Sequence, residues 1–262
     1  MNIEMHGTGR AAGALTLAMS RCGHIITSVH GRNAAAQRAL AEWVDPQAGV
    51  SPDLRIIAVS DHAIGAVAGD LAHAPPVPTV HISGATSVRV LDVLADIGGA
   101  VGSFHPLQTL PDAERGAAAL AGSWIAITTG DEGLEATLAD LARSLGCTPF
   151  TLDDAAKPAY HAAASAASNY TNAALDLAQR LFVVAGVPFE AAEPLVASTV
   201  ANAFDQGAAA ARTGPVARGD HGTIDAQKAA ASATSVVVGR AFDDMTAAAL
   251  TLANEPGEDG AV

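Results

Sequence analysis

The sequence has few cysteines, few basic residues and no long apolar run. The two cysteines, Cys22 and Cys147, lie far apart and outside any CxxC or Cys/His spacing, which argues against a disulfide framework and a zinc site. With 14 basic and 27 acidic residues the net charge is −13, and such a surface repels nucleic acid. No apolar run approaches the roughly 18 residues of a membrane span, and no signal-peptide pattern precedes the first strand. We therefore expect a cytoplasmic protein without a metal and without nucleic-acid or membrane partners.

The chain is rich in apolar residues and alternates two kinds of segment. Hydrophobic residues make up 50% of its 262 residues, enough apolar surface to offset the conformational entropy lost on folding. Short β-rich runs alternate with alanine-rich helical stretches up to about residue 153, which is typical of a parallel sheet with crossover helices. The predicted strands are 2–6, 25–30, 55–59, 79–83, 101–104, 124–128 and 149–152.

After residue 153 the strand pattern stops. Helices are predicted at 155–185, 189–212 and 223–253, separated by helix-breaking residues at 186–188 and by a loop at 213–222. The sequence therefore predicts an α/β fold, with a dinucleotide-binding sheet domain at 1–153 and an all-α domain at 154–254. A flexible tail is predicted at 255–262, where glycine, proline and acidic residues lack apolar periodicity.

A glycine motif directly follows the first predicted strand and opens a helix. Gly7, Thr8, Gly9 and Arg10 begin a G-x-G-x-x-G/A pattern in which Ala12 takes the last place. Gly7 permits a tight turn, Gly9 lets the backbone approach a pyrophosphate, and Ala12 allows close helix packing. Glycine turns elsewhere can mimic this pattern, but its position favours a Rossmann-type dinucleotide site.

The end of the second strand indicates which dinucleotide binds. NAD enzymes usually place an acidic residue there, whereas NADP enzymes often place an arginine beside the 2′-phosphate. Here the residues are Gly31, Arg32 and Asn33, and the planar Arg32 guanidinium suits a phosphate. The sequence predicts NADP, with a solvated Arg32 as the alternative. Arg10 is either a phosphate contact or a surface residue.

Several further motifs recur in one known family, in the same order. They include Ala58-Val59-Ser60-Asp61, His81-Ile82-Ser83-Gly84-Ala85, Ser103-Phe104-His105-Pro106-Leu107-Gln108-Thr109, Tyr160-His161-Ala162-Ala163-Ala164, Ser168-Asn169-Tyr170 and 213–220 (TGPVARGD). With the glycine motif and 31–33, they resemble bacterial proteins that combine a Rossmann-like domain with a DUF2520 domain. These are relatives of the 6-phosphogluconate dehydrogenase C-terminal-like superfamily, which includes ketopantoate and pyrroline-5-carboxylate reductases. The resemblance implies an NADP-linked fold and a homodimer formed through the helical domain.

Three of these motifs follow predicted strands, where open α/β sheets gather their ligands. Val59 ends the third predicted strand, and Ser60 and Asp61 follow it, although Asp61 could instead cap the next helix. Ser83 and Gly84 follow the fourth, either as a tight turn or as a surface for the nicotinamide.

A polar loop is predicted after the fifth strand. His105 begins it and is either a proton donor or a structural histidine, and Gln108 and Thr109 are candidate substrate contacts.

Reduction of a C=O or C=N bond needs a hydride and a proton, and His105 is one candidate for the proton donor. Lys157, His161, Ser165 and Asn169 are spaced by four and share one stripe of the first long helix. The resemblance implies that Lys157 and His161 occupy the place of a catalytic lysine and asparagine, and Lys157 or His161 could then donate the proton instead of His105. Ser165 and Asn169 could contact the substrate or the nicotinamide amide, unless the stripe is a seam between subunits.

The loop at 213–222 carries a candidate carboxylate contact. Arg218 suits a substrate carboxylate, or it pairs locally with Asp220. The sequence thus predicts an NADP-dependent reductase of a small keto acid, with ketopantoate as the most specific candidate. An imine reductase of the pyrroline-5-carboxylate type and a non-catalytic NADP(H) sensor are the alternatives.

Overall fold

The computed structural model describes residues 1–254 and divides the chain into two compact units, Met1–Ala166 and Ala167–Val262. The two units divide between residues 166 and 167, whereas the predicted domain boundary lies at 153–154. The assignment of cofactor binding to residues 1–153 and of substrate binding to residues 154–254 stays a prediction. The predicted tail at 255–262 lies outside the described residues. Cys22 and Cys147 are both free thiols. Within residues 1–254, none of the helices combines the length and the apolar character that crossing a membrane requires.

The first unit is built on a seven-stranded sheet in the order β2-β1-β3-β4-β5-β6-β7. Its strands are β1 (Asn2–His6), β2 (Ile25–His30), β3 (Leu54–Ile57), β4 (Thr79–His81), β5 (Val101–Leu107), β6 (Trp124–Thr129) and β7 (Thr148–Thr151). All neighbours pair in parallel except β5 and β6. The predicted fold class, a mostly parallel Rossmann-type sheet followed by helices, is confirmed.

Helices cover the sheet because strands and helices alternate along the chain. They are α1 (Arg10–Arg21), α2 (Ala34–Val44), α3 (Ile64–Leu71), α4 (Asp92–Ala95), α5 (Ala113–Leu120), α6 (Glu132–Ser144) and α7 (Lys157–Ser165). Asp112 and Asp131 cap α5 and α6 by accepting hydrogen bonds from backbone N–H groups. Ile3, Met5 and Phe104 are fully buried between the layers, which is the hydrophobic burial that stabilises the sheet.

Strand β5 extends beyond its predicted end. We expected the strand to stop at residue 104 and His105 to begin a loop, but β5 continues to Leu107. Antiparallel pairing with β6 sets this length, with His105 opposite Ala126 and Leu107 opposite Trp124. His105 therefore stands on a strand, which holds its side chain more firmly than a loop does. Strands β3 and β4 end earlier than predicted, at Ile57 and His81.

The second unit is helical, as predicted, but its helices are shorter. They are α8 (Thr171–Ala185), α9 (Glu193–Gln206), α10 (Gly214–Arg218), α11 (His221–Thr234) and α12 (Val236–Asn254). The helix predicted at 155–185 is interrupted by a π-helical turn at Ala166–Tyr170. Gly207, with φ of +86°, ends the second predicted helix at Gln206. The extended backbone of Ser235 divides the third into α11 and α12, and α10 lies in the predicted loop.

Candidate active site

The glycine motif follows β1, at the point where the strand order reverses, because β2 lies on one side of β1 and β3 on the other. The Gly7 N–H donates to the carbonyl of His30 at 2.8 Å, and the Ala58 N–H donates to the carbonyl of His6 at 2.7 Å. Gly7 has φ of +144°, and a Cβ at this position would lie 2.1 Å from the Ala58 carbonyl oxygen. Because no larger residue fits this turn, glycine is required there.

Helix α1 begins directly after this turn and leaves its first N–H groups available. Its N-cap is Gly9, which has no side chain to cap them, and a Cβ on Gly9 would meet nothing within 4 Å. Free N–H groups and the helix dipole attract phosphate. Ala12 is fully buried. Its small side chain lets α1 pack closely, and its burial keeps it from contacting a ligand.

A cavity of about 1000 Å³ opens in front of this turn. Nine residues predicted to bind the cofactor line it, namely Gly7, Thr8, Gly9, Arg10, Gly31, Arg32, Asn33, Val59 and Ser60. His105, Pro106 and Gln108 line the same cavity. Its size, its open glycine backbone and its uncapped helix start fit a dinucleotide, and His105, a predicted candidate for the proton donor, lines the same cavity.

Of two predicted cofactor residues with a possible capping role, Asn33 has that role and Asp61 does not. The Asn33 side chain caps α2, because its Oδ1 accepts from the N–H groups of Ala35 and Ala36 at 3.0 and 3.1 Å. Asp61 is exposed and begins a 3₁₀ turn at Asp61–Ala63 whose N-cap is Ser60. No side-chain hydrogen bond caps that turn, so the alternative of Asp61 as a helix cap is not realised.

His105 contacts two groups that hold its ring. Its Nδ1 lies 2.7 Å from the hydroxyl of Tyr160, and the two rings meet edge to face with centroids 5.4 Å apart. A Cβ on Gly84 would lie 2.8 Å from the ring's Cε1 and Nε2 atoms, so the imidazole rests directly on this glycine. The Gly84 backbone therefore supports His105 rather than lining the cavity itself.

Burial fixes the protonation state of this pair. It lowers the pKa of His105 to about 4, aided by the nearby His161 and Lys157, against the opposing charge of Asp61. Burial also raises the pKa of Tyr160 to about 12. At neutral pH, then, a neutral imidazole is hydrogen-bonded to a protonated phenol.

Lys157 is buried, with 1% of its surface exposed. Its Nζ donates to Ser103 Oγ at 2.7 Å and to the carbonyl of Ser83 at 3.4 Å. Burial lowers its pKa, and the charges of Asp154 and Asp61 oppose this effect. Lys157 does not line the cavity. Its hydrogen bond to the Ser83 carbonyl instead holds the segment Ser83-Gly84, on which the His105 ring rests.

A second buried histidine stabilises the same segment. His81 is fully buried, and its Nδ1 accepts from the Ser83 N–H at 3.1 Å. Burial lowers the pKa of His81 to about 4, and the charge of Lys157 adds to this effect. Asp154 accepts from Ser87 Oγ and from the Val88 N–H, which connects the start of α7 to the chain that follows Ser83.

The other predicted residues of the first unit are spread around this centre. The exposed His161 has its ring centroid 6.4 Å from that of His105. Gln108 lines the cavity, but its Oε1 accepts from the Thr109 N–H at 2.8 Å and its Nε2 donates to Ala119 O. Thr109 is exposed and Ser165 half-buried. Their contacts with a substrate remain predictions.

The second unit carries the remaining candidates. Asn169 lies in the π-helical turn and is exposed. Asp220 caps α11, with its carboxylate accepting from the N–H and the hydroxyl of Thr223 at 3.1 and 2.7 Å. These two bonds, with the charge of nearby Arg218, lower the pKa of Asp220. Arg218 is exposed at the end of α10, and its role toward a substrate remains a prediction.

Four further residues form a cluster at the cavity that the sequence analysis missed. In this Glu4 cluster, the Glu4 carboxylate lies 3.0 Å from His30 Nε2, 3.2 Å from His6 Nε2 and 2.7 Å from Arg55 Nε. The rings of His6 and His30 stack with centroids 4.5 Å apart. Contacts with His30, His6 and Arg55 hold the pKa of Glu4 well below its usual range, although burial opposes them.

Comparisons with known proteins agree with this architecture. Residues 123–248 match the family described as Domain of unknown function (DUF2520). A search of curated protein sequences finds no match. A Bacteroides fragilis protein provisionally named an NADP oxidoreductase has a TM-score of 0.81 at 22% identity, covering 95% of this chain and 98% of that one.

Two further solved structures share the fold over nearly the whole chain. A reductive aminase from Aspergillus terreus, in complex with NADPH and ethyl-5-oxohexanoate, has a TM-score of 0.68 at 18% identity, covering 96% of this chain and 94% of that one. An imine reductase from Streptomyces aurantiacus has a TM-score of 0.69 at 14% identity, covering 97% and 96%. The resemblance noted from the motifs is thus confirmed: residues 123–248 match the DUF2520 family model, in a chain that shares the fold of these reductases.

Proposed function

We propose that the protein is an NADP(H)-dependent oxidoreductase that reduces a C=O or C=N bond of a small molecule. One observation carries this proposal: His105, backed by Tyr160, lines the same cavity as the glycine turn and Arg32. A nucleotide site and a group able to donate a proton therefore share one space. The solved structures with this fold include NADPH-bound and imine-reducing enzymes, which supports the same chemistry.

The residues present fit NADP(H). Gly7, Gly9 and the start of α1 would hold the pyrophosphate, and Arg32 would hold the 2′-phosphate. Bound NADPH supplies a hydride to the substrate carbon. The metal-free chemistry predicted from the sequence is part of the same proposal.

His105 and Tyr160 would supply the proton in reduction of a carbonyl. As the carbon gains the hydride, the C=O π pair moves to oxygen, which then takes a proton from His105 Nε2. Tyr160 donates its hydroxyl proton to His105 Nδ1, so the ring stays neutral throughout, and water returns a proton to Tyr160. This relay uses the 2.7 Å contact between the two side chains.

A neutral ketone or an imine fits the His105 end of the cavity better than a keto acid. The cations that line the cavity, Arg10 and Arg32, belong to the predicted phosphate loops, whereas Ile82, Pro106 and Leu110, which line the same cavity, are apolar. A neutral imidazole also does not repel a protonated imine. Cyclohexanone and allyl amine are bound in a related reductive aminase. Ketopantoate remains the alternative, and Arg218 would have to bind its carboxylate.

The test is a turnover assay that follows NADPH oxidation. The purified protein is given a neutral ketone with an amine, a cyclic imine, and ketopantoate, each beside a His105→Gln variant. We expect turnover of at least one substrate, fastest with the imine, and, for a carbonyl substrate, at least a tenfold lower kcat in the variant at unchanged NADPH affinity. Tight NADPH binding with no turnover of any substrate would instead favour the sensor alternative and overturn the enzymatic proposal.

The second unit supports a homodimer. Its helices expose large apolar side chains that include Val183, Leu195, Phe204 and Val236, with Phe204 89% exposed. Large apolar side chains that are left exposed are typical of interaction faces. We propose that residues 154–254 form the dimer and contribute to the substrate site, and that residues 1–153 bind the cofactor. A monomer by analytical ultracentrifugation would contradict the dimer.

A further inference from the structure

The Glu4 cluster lies beside the loop proposed to hold the 2′-phosphate. His30 is the last residue of β2 and directly precedes Gly31 and Arg32. Both His30 and His6 line the cavity together with Arg32. The His30 side chain is 48% exposed, whereas the His6 side chain is 12% exposed. His30 is thus the member of the cluster that a ligand can reach.

The charge of the cluster depends on protons. With both imidazoles neutral, the Glu4 carboxylate and the Arg55 guanidinium balance each other. Each proton added to His6 or His30 adds one positive charge beside a carboxylate that stays ionised, because its pKa is held low. The cluster therefore ranges from neutral to a charge of +2 and is never a net anion at working pH.

This charge range suits an anion and disfavours a metal ion. Arg55 Nε lies 2.7 Å from Glu4 Oε2 and would repel a divalent cation. Glu4 Oε1 lies 3.2 Å from His6 Nε2 and 3.0 Å from His30 Nε2, so the carboxylate is already in contact with both imidazoles as well as with Arg55. A phosphate, in contrast, gains from every proton that the cluster takes up.

We infer that His30, supported by the Glu4 cluster, binds the 2′-phosphate of NADP(H) together with Arg32. Protonation of His30 then makes the preference for NADPH over NADH depend on pH. The inference rests on the proposed NADP(H) binding and deepens it. A phosphate beside an imidazole favours the imidazolium, which donates a charge-assisted hydrogen bond. Glu4 Oε1 lies 3.0 Å from His30 Nε2 and would stabilise the added proton.

The sign of the pH effect follows from this geometry. The charged and titratable groups facing His30 are Glu4 and His6 from β1, with Arg55 from β3 behind Glu4, and Arg32 in the adjoining loop. NADPH binding takes up a proton, so its affinity falls as pH rises. NADH lacks the phosphate, so its affinity stays constant.

The experiment is a calorimetric titration of the full chain with NADPH and with NADH between about pH 6.5 and about pH 8.5, above the second phosphate ionisation. We expect the NADPH affinity to fall about tenfold or more across this range, since one linked proton changes affinity by up to about tenfold per pH unit. The slope should vanish in His30→Gln and persist in His73→Gln, an exposed control. Arg32→Ala should weaken NADPH binding at every pH and keep the slope.

Each outcome has one meaning. A constant wild-type NADPH affinity, or a slope that survives in His30→Gln, would overturn the inference. Calorimetric titrations with NADPH in two buffers of different ionisation enthalpy measure how many protons are taken up on binding. They test the same inference without a variant. Failure of both nucleotides to bind at any pH would instead overturn the proposed function.

Discussion

The hydroxyl of Tyr160 lies 2.7 Å from Nδ1 of His105, although the two residues are 55 positions apart in the chain. Helix α7 brings the phenol to the imidazole, and β5 holds the imidazole at the cavity. The proposed proton relay depends on this contact.

Tyr160→Phe removes only the hydroxyl of this pair. The ring still packs edge to face against His105 and against Phe150, so the fold should persist. Without the second donor, we expect kcat to fall about tenfold to a hundredfold while NADPH affinity stays constant. Steady-state kinetics with a titration of NADPH measure both quantities, and an unchanged kcat would remove Tyr160 from the relay.

Gly84→Ala tests the position of the imidazole. The new Cβ would lie 2.8 Å from the ring of His105, so the ring must move, and we expect about a tenfold loss of kcat. Gly130→Ala is the matched control, because a Cβ there meets nothing within 4 Å. Equal kinetics of the two variants would show that the ring position does not limit the reaction.

Lys157→Met separates a positioning role from proton donation. Methionine fills similar space without a buried charge, so we expect the free energy of unfolding at neutral pH to stay within about 1 kcal/mol of the wild type. Loss of the bonds to Ser103 and Ser83 should lower kcat several-fold through His105. Chemical denaturation measures the free energy of unfolding, and steady-state kinetics at several pH values measure kcat. A wild-type kcat in a stable Lys157→Met variant would contradict the positioning role of Lys157.

Stability should depend on pH through His81. Its pKa falls from 6.5 to about 4 on folding, so the unfolded state binds more protons in this range. The contribution of about 3 kcal/mol is complete above about pH 6.5 and is lost as pH falls to about 4. In urea unfolding at several pH values, the free energy of unfolding should fall less steeply at acidic pH in His81→Asn than in the wild type. An identical pH dependence in both proteins would contradict this assignment.

Arg32→Ala tests the predicted phosphate contact. The exposed guanidinium lines the cavity beside Gly31, and its loss removes a charge-assisted bond. We expect NADPH affinity to fall by about tenfold or more and NADH affinity to remain the same. Arg38→Ala, on the exposed surface of α2, is the control and should change neither.

Local patterns made the fold and the glycine turn predictable. The alternation of strands and helices and the motif at Gly7 and Gly9 are written in adjacent residues, and the structure follows them. The length of β5 could not be predicted in the same way, because β6 sets it by pairing along residues up to Leu107. Such non-local pairing leaves no mark at residues 105–107 themselves.

Tyr160 lies outside the stripe of polar residues spaced by four, which predicts only Lys157, His161, Ser165 and Asn169. It lies three residues after Lys157, and residues three apart also share a helix face. The Glu4 cluster had a comparable signal: parallel register places His6 beside His30 and Glu4 beside Arg55. Recognising it required the strand order, which the sequence does not state.

The most direct test of the account is a calorimetric titration of the purified wild-type protein with NADPH and with NADH at neutral pH. The cavity, the glycine turn and Arg32 predict tight binding of NADPH and binding of NADH weaker by about tenfold or more. If neither nucleotide binds at high concentration, or if both bind equally well, the central claim of an NADP(H)-specific site at Gly7, Gly9 and Arg32 is contradicted.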